Sequence, residues 1–261
     1  MPTQTLPASL TNRQIDGYHA DGYLVLRGVF EPAEVAVLSF EADALLSRDD
    51  LIDVANIRCR WQDHTATGEC LFDCFDPVID LAPVCRRVAS DERLLGPLRS
   101  LFGDEAHLLK DKLIFKRPGA KGYGLHQDYI SWKEFPDSFT TVIVAIDATD
   151  AFNGATEVFA GYHAQGCLSP RDGDYHELPP GAVDESRGVV LDLRAGDVAI
   201  FSGFTPHRSG ANLSDGWRRQ LYLSYNAGRD GGELREAHYR QFHQWLKEKY
   251  AQYGKTGVYF R

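Results

Sequence analysis

The stretch Arg194-Ala195-Gly196-Asp197-Val198-Ala199-Ile200-Phe201-Ser202-Gly203-Phe204-Thr205-Pro206-His207-Arg208-Ser209-Gly210, running on to Trp217-Arg218-Arg219, decides the fold. A tight turn at Ala195-Gly196 opens a β-rich run at 197–202. A Gly/Pro-rich turn leads from it to His207, and a second turn at Ser209-Gly210 precedes the next strand, expected at 217–225. Short strands follow one another here across turn chemistry, with no intervening helical repeat. Outward from this stretch the pattern persists back to His107, with further strands expected at 107–116, 139–147, 156–160 and 187–193. Pro118-Gly119 and Asn153-Gly154 punctuate them. Thr141-Val142-Ile143-Val144-Ala145-Ile146 is a near-continuous β-rich run, suited to a strand buried on both faces. Many short strands in series point to a jelly-roll or barrel rather than βαβ units.

The first third reads differently. Thr11-Asn12-Arg13-Gln14 fits a capping box at a helix start. Tyr23-Leu24-Val25-Leu26 is a short strand after Asp21-Gly22. Pro32 suits the first turn of a second helix, in which Val35, Leu38, Ala42 and Leu45 recur at helical spacing. Two more helices are expected near 79–88 and 91–102. The tail, about 233–253, returns to helix, with Leu234, Phe242, Trp245, Leu246 and Tyr253 as its apolar face. No repeat, low-complexity tract or linker divides the chain. The expectation is therefore one mainly β domain over 1–261, with a helical cap (about 1–105), a jelly-roll core (about 106–230) and a C-terminal helix.

Composition narrows the function. The 261 residues are 43% hydrophobic and 25% charged, ordinary for a globular protein. Lys+Arg number 28 against 37 Asp+Glu, a net charge of -9. That balance disfavours a nucleic-acid partner held through phosphate contacts. Five cysteines without paired spacing suggest free thiols in a reducing compartment. No basic-then-apolar leader and no run of about 18 apolar residues is present, so a cytoplasmic protein without a membrane partner is expected.

Two segments carry chemistry. In Tyr123-Gly124-Leu125-His126-Gln127-Asp128-Tyr129-Ile130-Ser131-Trp132, an extended chain would present His126 and Asp128 on one side. With a distant histidine these make a 2-His-1-carboxylate set, which holds Fe(II) and leaves positions open for a co-substrate and O₂. His207 is the candidate third ligand. Eleven residues beyond it, Arg218 offers a bidentate partner for the distal carboxylate of a diacid, and Ser209 a hydroxyl to the same group. Arg219 points the other way on a strand.

These segments resemble the phytanoyl-CoA dioxygenase family of Fe(II)/2-oxoglutarate oxygenases. The resemblance extends over about residues 12–250. It includes Asp21-Gly22-Tyr23-Leu24-Val25-Leu26-Arg27-Gly28-Val29-Phe30 and the stretch from Asn153-Gly154-Ala155 to Gly161-Tyr162-His163. Ala160 and Tyr162 depart from the Pro-Gly-Ser-His form usual there. The resemblance implies a double-stranded β-helix, cupin-like, and Fe(II) bound by His126, Asp128 and His207. It further implies 2-oxoglutarate as co-substrate held by Arg218, with O₂ consumed and an unactivated C–H hydroxylated as succinate and CO₂ are released. Ser209, Trp132 and Lys112 are the further candidates for the 2-oxoglutarate site, although Lys116 alternates with Ile114 on the same strand as Lys112. Tyr123, Tyr129, Trp132 and Tyr162 are expected around the substrate. Family members act on acyl-CoA thioesters, ectoines, phosphonates and natural-product scaffolds. Aromatic residues for an ammonium group, and Arg58, Arg60 or Lys112 for an anionic end, favour a small zwitterion such as 2-aminoethylphosphonate or its N-methylated form. Ectoine-like and acyl-CoA substrates stay open, as do a zinc hydrolase using the same triad and a non-catalytic jelly-roll binding module. The sequence carries no signal for oligomeric state.

Overall fold

A computed structural model of the chain describes residues 9–128 and 134–258. Helix α1 (Asn12–Asp21) begins with the expected capping box. The Thr11 hydroxyl accepts from the Gln14 amide at 3.3 Å, and the Gln14 side chain accepts from the Thr11 amide at 3.0 Å. Strand β1 (Tyr23–Leu26) follows, and α2 (Pro32–Leu46) starts with its proline in the first turn. Next come β2 (Cys59–Asp63), β3 (Cys70–Phe75), α3 (Pro83–Ala89) and α4 (Glu92–Phe102). The strands β2 and β3 break the helical texture expected of the first third. Both carry charged or polar residues (Arg60, Gln62, Asp73) facing inward, which hides the usual apolar alternation.

From residue 106 to 227 the chief regular elements among the described residues are strands, joined by loops and two short 3-10 turns: β4 (Ala106–Lys116), β5 (Tyr123–His126), β6 (Thr140–Ala145), β7 (Thr156–Phe159), β8 (Gly188–Val190), β9 (Val198–Ser202), β10 (His207–Ser209) and β11 (Arg218–Ala227). Helix α5 (Arg235–Tyr253) closes the order. These eight strands wind between two antiparallel sheets. The larger has the order β1-β9-β6-β11-β4-β3-β2 and the smaller β5-β10-β7-β8. This is the jelly-roll, with β1 added at one edge of the large sheet and β3-β2 at the other. The first third thus contributes three strands as well as helices.

Side-chain alternation sorts the large sheet into two faces. On β6, Val142 and Val144 point out to pack beneath α2, α3 and α4, whereas Ile143 and Ala145 point in. On β11, Leu221, Leu223 and Tyr225 point out while Tyr222 joins the inner cluster. The same parity on β4 sends Leu113 and Phe115 outward, and turns Lys110, Lys112, Ile114 and Lys116 toward the space between the sheets. That space is the site.

Candidate functional site

His126 ends β5 and His207 begins β10; the two strands are paired so that these residues face each other across the small sheet. Alternation carries Asp128 to the same side as His126. The intervening Gln127 turns away, its fully buried amide bridging the carbonyls of Gly166 and Phe204. The Nε2 atoms of His126 and His207 lie 4.0 and 3.8 Å from Asp128 Oδ1. One ligand atom from each of the three residues falls within 4.8 Å of the others. Each imidazole meets a backbone carbonyl through Nδ1, His126 at Gly124 (2.7 Å) and His207 at Thr205 (3.1 Å). Those bonds put the proton on Nδ1 and leave both Nε2 lone pairs aimed at the shared centre. The Thr141 hydroxyl donates to Asp128 Oδ2 at 2.7 Å, so Oδ1 is the free oxygen.

Electrostatics agree with a set of metal donors. Burial brings His126 down to about 3, with His207 adding to the effect. Burial also lowers His207. Burial alone would raise the Asp128 carboxyl, but His207, Lys112 and His126 together with the Thr141 hydrogen bond hold it at about 2. Two neutral imidazoles and a carboxylate are the donor chemistry of a divalent, open-faced metal site.

Beyond the triad lies a cationic pair. Arg218 and Lys116 are cross-strand partners on β11 and β4, 2% and 1% exposed. Arg218 donates to Gln220 Oε1 and, at 3.0 Å, to the Gly154 carbonyl. Its Nε is buried and has no hydrogen-bond partner. The Lys116 ammonium donates to Ser209 Oγ (3.0 Å), Gly154 O (3.3 Å) and Gly210 O. Burial, then Arg218, lowers Lys116 well below its ordinary value. Among the described residues their hydrogen bonds go to neutral oxygens only, with Asp73 acting on Lys116 at longer range, and an unsatisfied guanidinium nitrogen in a dry interior is costly. A carboxylate supplied from outside fits that vacancy of charge. Arg219 faces the other way, to Asp147 and Asp43 on the outer side.

The expected residues are distributed as follows. His126, Asp128, His207, Ser209, Tyr123 and Lys112 all line one cavity. Tyr123 contributes its hydroxyl to Asp73 and its amide to Ser209 Oγ. Lys112 is not beside Arg218; its ammonium sits 4.9 Å above the Tyr222 ring, and Lys116 is the cross-strand partner of Arg218. Tyr162 lies outside the cavity, where its hydroxyl accepts from the Asp184 amide at 2.7 Å and Arg187 stacks on its ring. Tyr129 and Trp132 fall outside the described residues. Arg58 pairs with Asp80 away from the cavity, whereas Arg60 lines it. His163 holds the His19 carbonyl, a structural contact.

Sequence reasoning missed several residues. Thr141, which orients Asp128, carries no signal in a β-rich run. Tyr175, packed 5.3 Å from the His126 ring, comes from a long loop without periodicity. Lys110 and Asp76 were findable: Lys110 shares the parity of Lys112 and Lys116 around the apolar Ile114.

Comparison with known proteins places this geometry. A profile of the phytanoyl-CoA dioxygenase (PhyH) family matches residues 18–220. The chain is 30% identical over 171 residues to a 2-aminoethylphosphonate dioxygenase of uncultured bacterium HF130_AEPn_1, covering 63% of each chain. It is 34% identical over 163 residues to a methylphosphonate hydroxylase of Gimesia maris, covering 60% of this chain. It thus spans about three-fifths of the length of these two relatives, 63% and 58%. An ectoine dioxygenase of Halomonas elongata is 28% identical over 83% of this chain and 70% of its own. Among solved structures, EctD from S. alaskensis with 2-oxoglutarate and 5-hydroxyectoine superposes with a TM-score of 0.68 at 24% identity, covering 88% of this chain and 80% of its own. The carbocyclase SnoK of nogalamycin biosynthesis gives 0.73 at 17% identity, covering 89% and 90%. These two likenesses concern the fold. With the profile covering most of the chain, the protein belongs to the phytanoyl-CoA dioxygenase (PhyH) family.

Proposed function

We propose that this protein hydroxylates an unactivated C–H bond of a small zwitterionic metabolite, 2-aminoethylphosphonate or its N-methylated derivative. As a member of its family the chain is a 2-oxoglutarate-dependent dioxygenase. The observation that carries the substrate reading is the cavity wall beyond the triad. Basic side chains (Arg60, Lys110, Lys112) and aromatic ones (Phe135, Tyr175, Trp245, and Phe242 beneath Arg60 and Lys110) line it together, which suits a molecule with an anionic and an ammonium end. Two of the relatives are named for phosphonates.

In this reading His126, Asp128 and His207 hold Fe(II), with the Thr141 hydroxyl keeping Asp128 Oδ2 turned away from the metal. Bound iron, with 2-oxoglutarate and O₂, supplies the oxidation that hydroxylates the substrate and releases succinate and CO₂. Arg218 neutralises the distal carboxylate of 2-oxoglutarate, assisted by Ser209 and Lys116. A hydrolase using zinc and water would have no use for that buried cationic pair. The cavity surrounds the reacting groups with protein and limits water.

Two measurements test this. Fe(II) and 2-oxoglutarate added without oxygen should give a visible metal-to-ligand charge-transfer band. In Arg218→Ala the band should need at least about tenfold more 2-oxoglutarate, the cost of one charge-assisted pair. A wild-type protein without the band rules out the co-substrate. With oxygen, 2-aminoethylphosphonate or its N-methyl form should be hydroxylated with one succinate per turnover. Turnover confined to ectoines or acyl-CoA thioesters would replace the substrate named here.

A further inference from the structure

The end of the cavity away from Arg218 is more basic than its sequence suggests. Lys110 and Lys112 lie two residues apart on β4 and point into it, opposite Ser224 and Tyr222 of β11. Arg60, 2% exposed, reaches the same place from β2. Two carboxylates answer these three cations, Asp128 of the triad, whose charge acts on Lys112, and Asp76. Asp76 Oδ2 lies 3.5 Å from Lys110 Nζ and 3.8 Å from Arg60 Nε, and Asp76 Oδ1 accepts from the Tyr239 hydroxyl at 3.0 Å.

The division of labour follows from their contacts. Arg60 is spent on structure: its guanidinium donates to the carbonyls of Ile57, Cys59 and Asp76 and stacks on Phe242. Lys110 shares Asp76 with it and lies 4.5 Å above the Phe242 ring. Lys112 makes no hydrogen bond or ion pair among the described residues; its ammonium lies 4.9 Å from the Tyr222 ring centroid and feels the Asp128 charge at longer range. Two ammonium groups with unused N–H donors therefore face one small volume beside the triad. The local charge exceeds what Asp76 offsets. Half-buried cations left in excess when Asp128 is committed to the metal favour an anion arriving with the ligand.

We propose that Lys110 and Lys112, backed by Arg60, form an anion subsite that selects substrates whose head group is a tetrahedral dianion, such as a phosphonate, over those ending in a carboxylate. A single carboxylate neutralises half the excess and presents two oxygens. A phosphonate neutralises it fully and presents three, enough to accept from both lysines at once. Asp76 holds Lys110 in place and, with Asp128 committed to the metal, leaves an excess of two charges. Lys110 is thereby a specificity residue, acting on the non-reacting end of the substrate. The inference rests on the cavity being the substrate site, and it goes beyond naming one metabolite.

The test uses protein loaded with Fe(II) and 2-oxoglutarate and kept free of oxygen, at a pH where phosphonate carries two charges. Methylphosphonate, inorganic phosphate and acetate are titrated in by calorimetry. Methylphosphonate should bind about tenfold or more tightly than acetate, and Lys110→Gln and Lys112→Gln should each weaken it by about tenfold. Lys110→Arg, which keeps the charge, should stay within about threefold of wild type. The charge-transfer band of Lys110→Gln should appear at the wild-type 2-oxoglutarate concentration, which marks that variant as folded. Equal wild-type affinity for acetate and methylphosphonate overturns the proposal, and needs no variant. Unchanged methylphosphonate binding in both Lys→Gln variants overturns it as well. If methylphosphonate binds as expected but 2-aminoethylphosphonate is not hydroxylated, the subsite stands and the substrate named above falls.

Discussion

Gly154 shows how closely the Arg218 end of the site is built. Its φ is 74°, and its carbonyl accepts from both Lys116 and Arg218. A Cβ there would stand 2.5 Å from the Gly210 carbonyl oxygen and 2.9 Å from Lys116 Nζ. Gly154→Ala must therefore strain the backbone by about 1–2 kcal/mol and push the carbonyl away from the two cations it orients. The expected outcome is a melting temperature lower by about 2–8 °C, with 2-oxoglutarate binding weakened about tenfold in the anaerobic band titration. Gly17→Ala on α1 is the control, since nothing lies within 4 Å of its added Cβ and its φ is not left-handed. Equal effects of the two substitutions would remove Gly154 from the site. At this scale the sequence was most informative where chemistry demands a residue type: two histidines and an aspartate, an arginine at a set distance from His207. It was least informative where a common residue serves by position alone. Thr141 orients Asp128, and Lys116 rather than Lys112 meets Arg218, because strand pairing aligns them and nothing in the local pattern says so.

Elements are fixed by contacts that link the two ends of the chain. Asp197, in the turn before β9, accepts from the amides of Gly28 and Arg194 at 2.7 and 2.8 Å and from Arg27 at 2.7 Å, so β1 is bound to the edge of the large sheet through one carboxylate. Burial would raise that carboxyl, but Arg27 and the two amides bring it below the usual value. A carboxyl whose folded value is depressed adds stability above its unfolded value of about 3.9, and loses it as pH falls through the folded value. Asp197→Asn should accordingly melt below wild type at pH 7, and the gap should narrow as pH drops below about 3.9. Thermal melts from pH 7 to 2.5 check this; a gap that stays constant assigns the loss to geometry rather than charge. The long elements were legible beforehand. The strand expected at 107–116 lies at Ala106–Lys116, the one at 197–202 at Val198–Ser202, and the tail helix at Arg235–Tyr253. The strands β2, β3, β5 and β10 were not read as strands. They are short or carry charged and polar residues inward, because they border the cavity, and the hydrophobic signal is weakest where the protein has use for polar side chains.

The whole molecule turns a group of cations, interspersed with Asp73, Asp76 and Asp128, toward one internal space although the chain as a whole is acidic. Net charge is -9, yet Arg218, Lys116, Lys110, Lys112 and Arg60 all face the space between the sheets or the cavity that opens from it. The jelly-roll makes this arrangement sustainable, because the outer face of the large sheet packs on helices while its inner face supplies alternate positions to the site. Attraction for a dicarboxylate is then local, short-range and shielded from solvent ions by the protein itself. An exposed basic patch behaves otherwise, since salt within a Debye length of about 8–10 Å screens it. Binding of 2-oxoglutarate to the Fe(II)-loaded protein should therefore weaken by no more than about threefold between 50 and 500 mM NaCl, while the association rate rises slightly as salt screens the repulsion between a dianion and an acidic surface. Anaerobic stopped-flow recording of the charge-transfer band gives both quantities. A tenfold loss of affinity over that range would mean that the anchoring cations are open to solvent when the co-substrate binds, and that the cavity is closed only after it arrives.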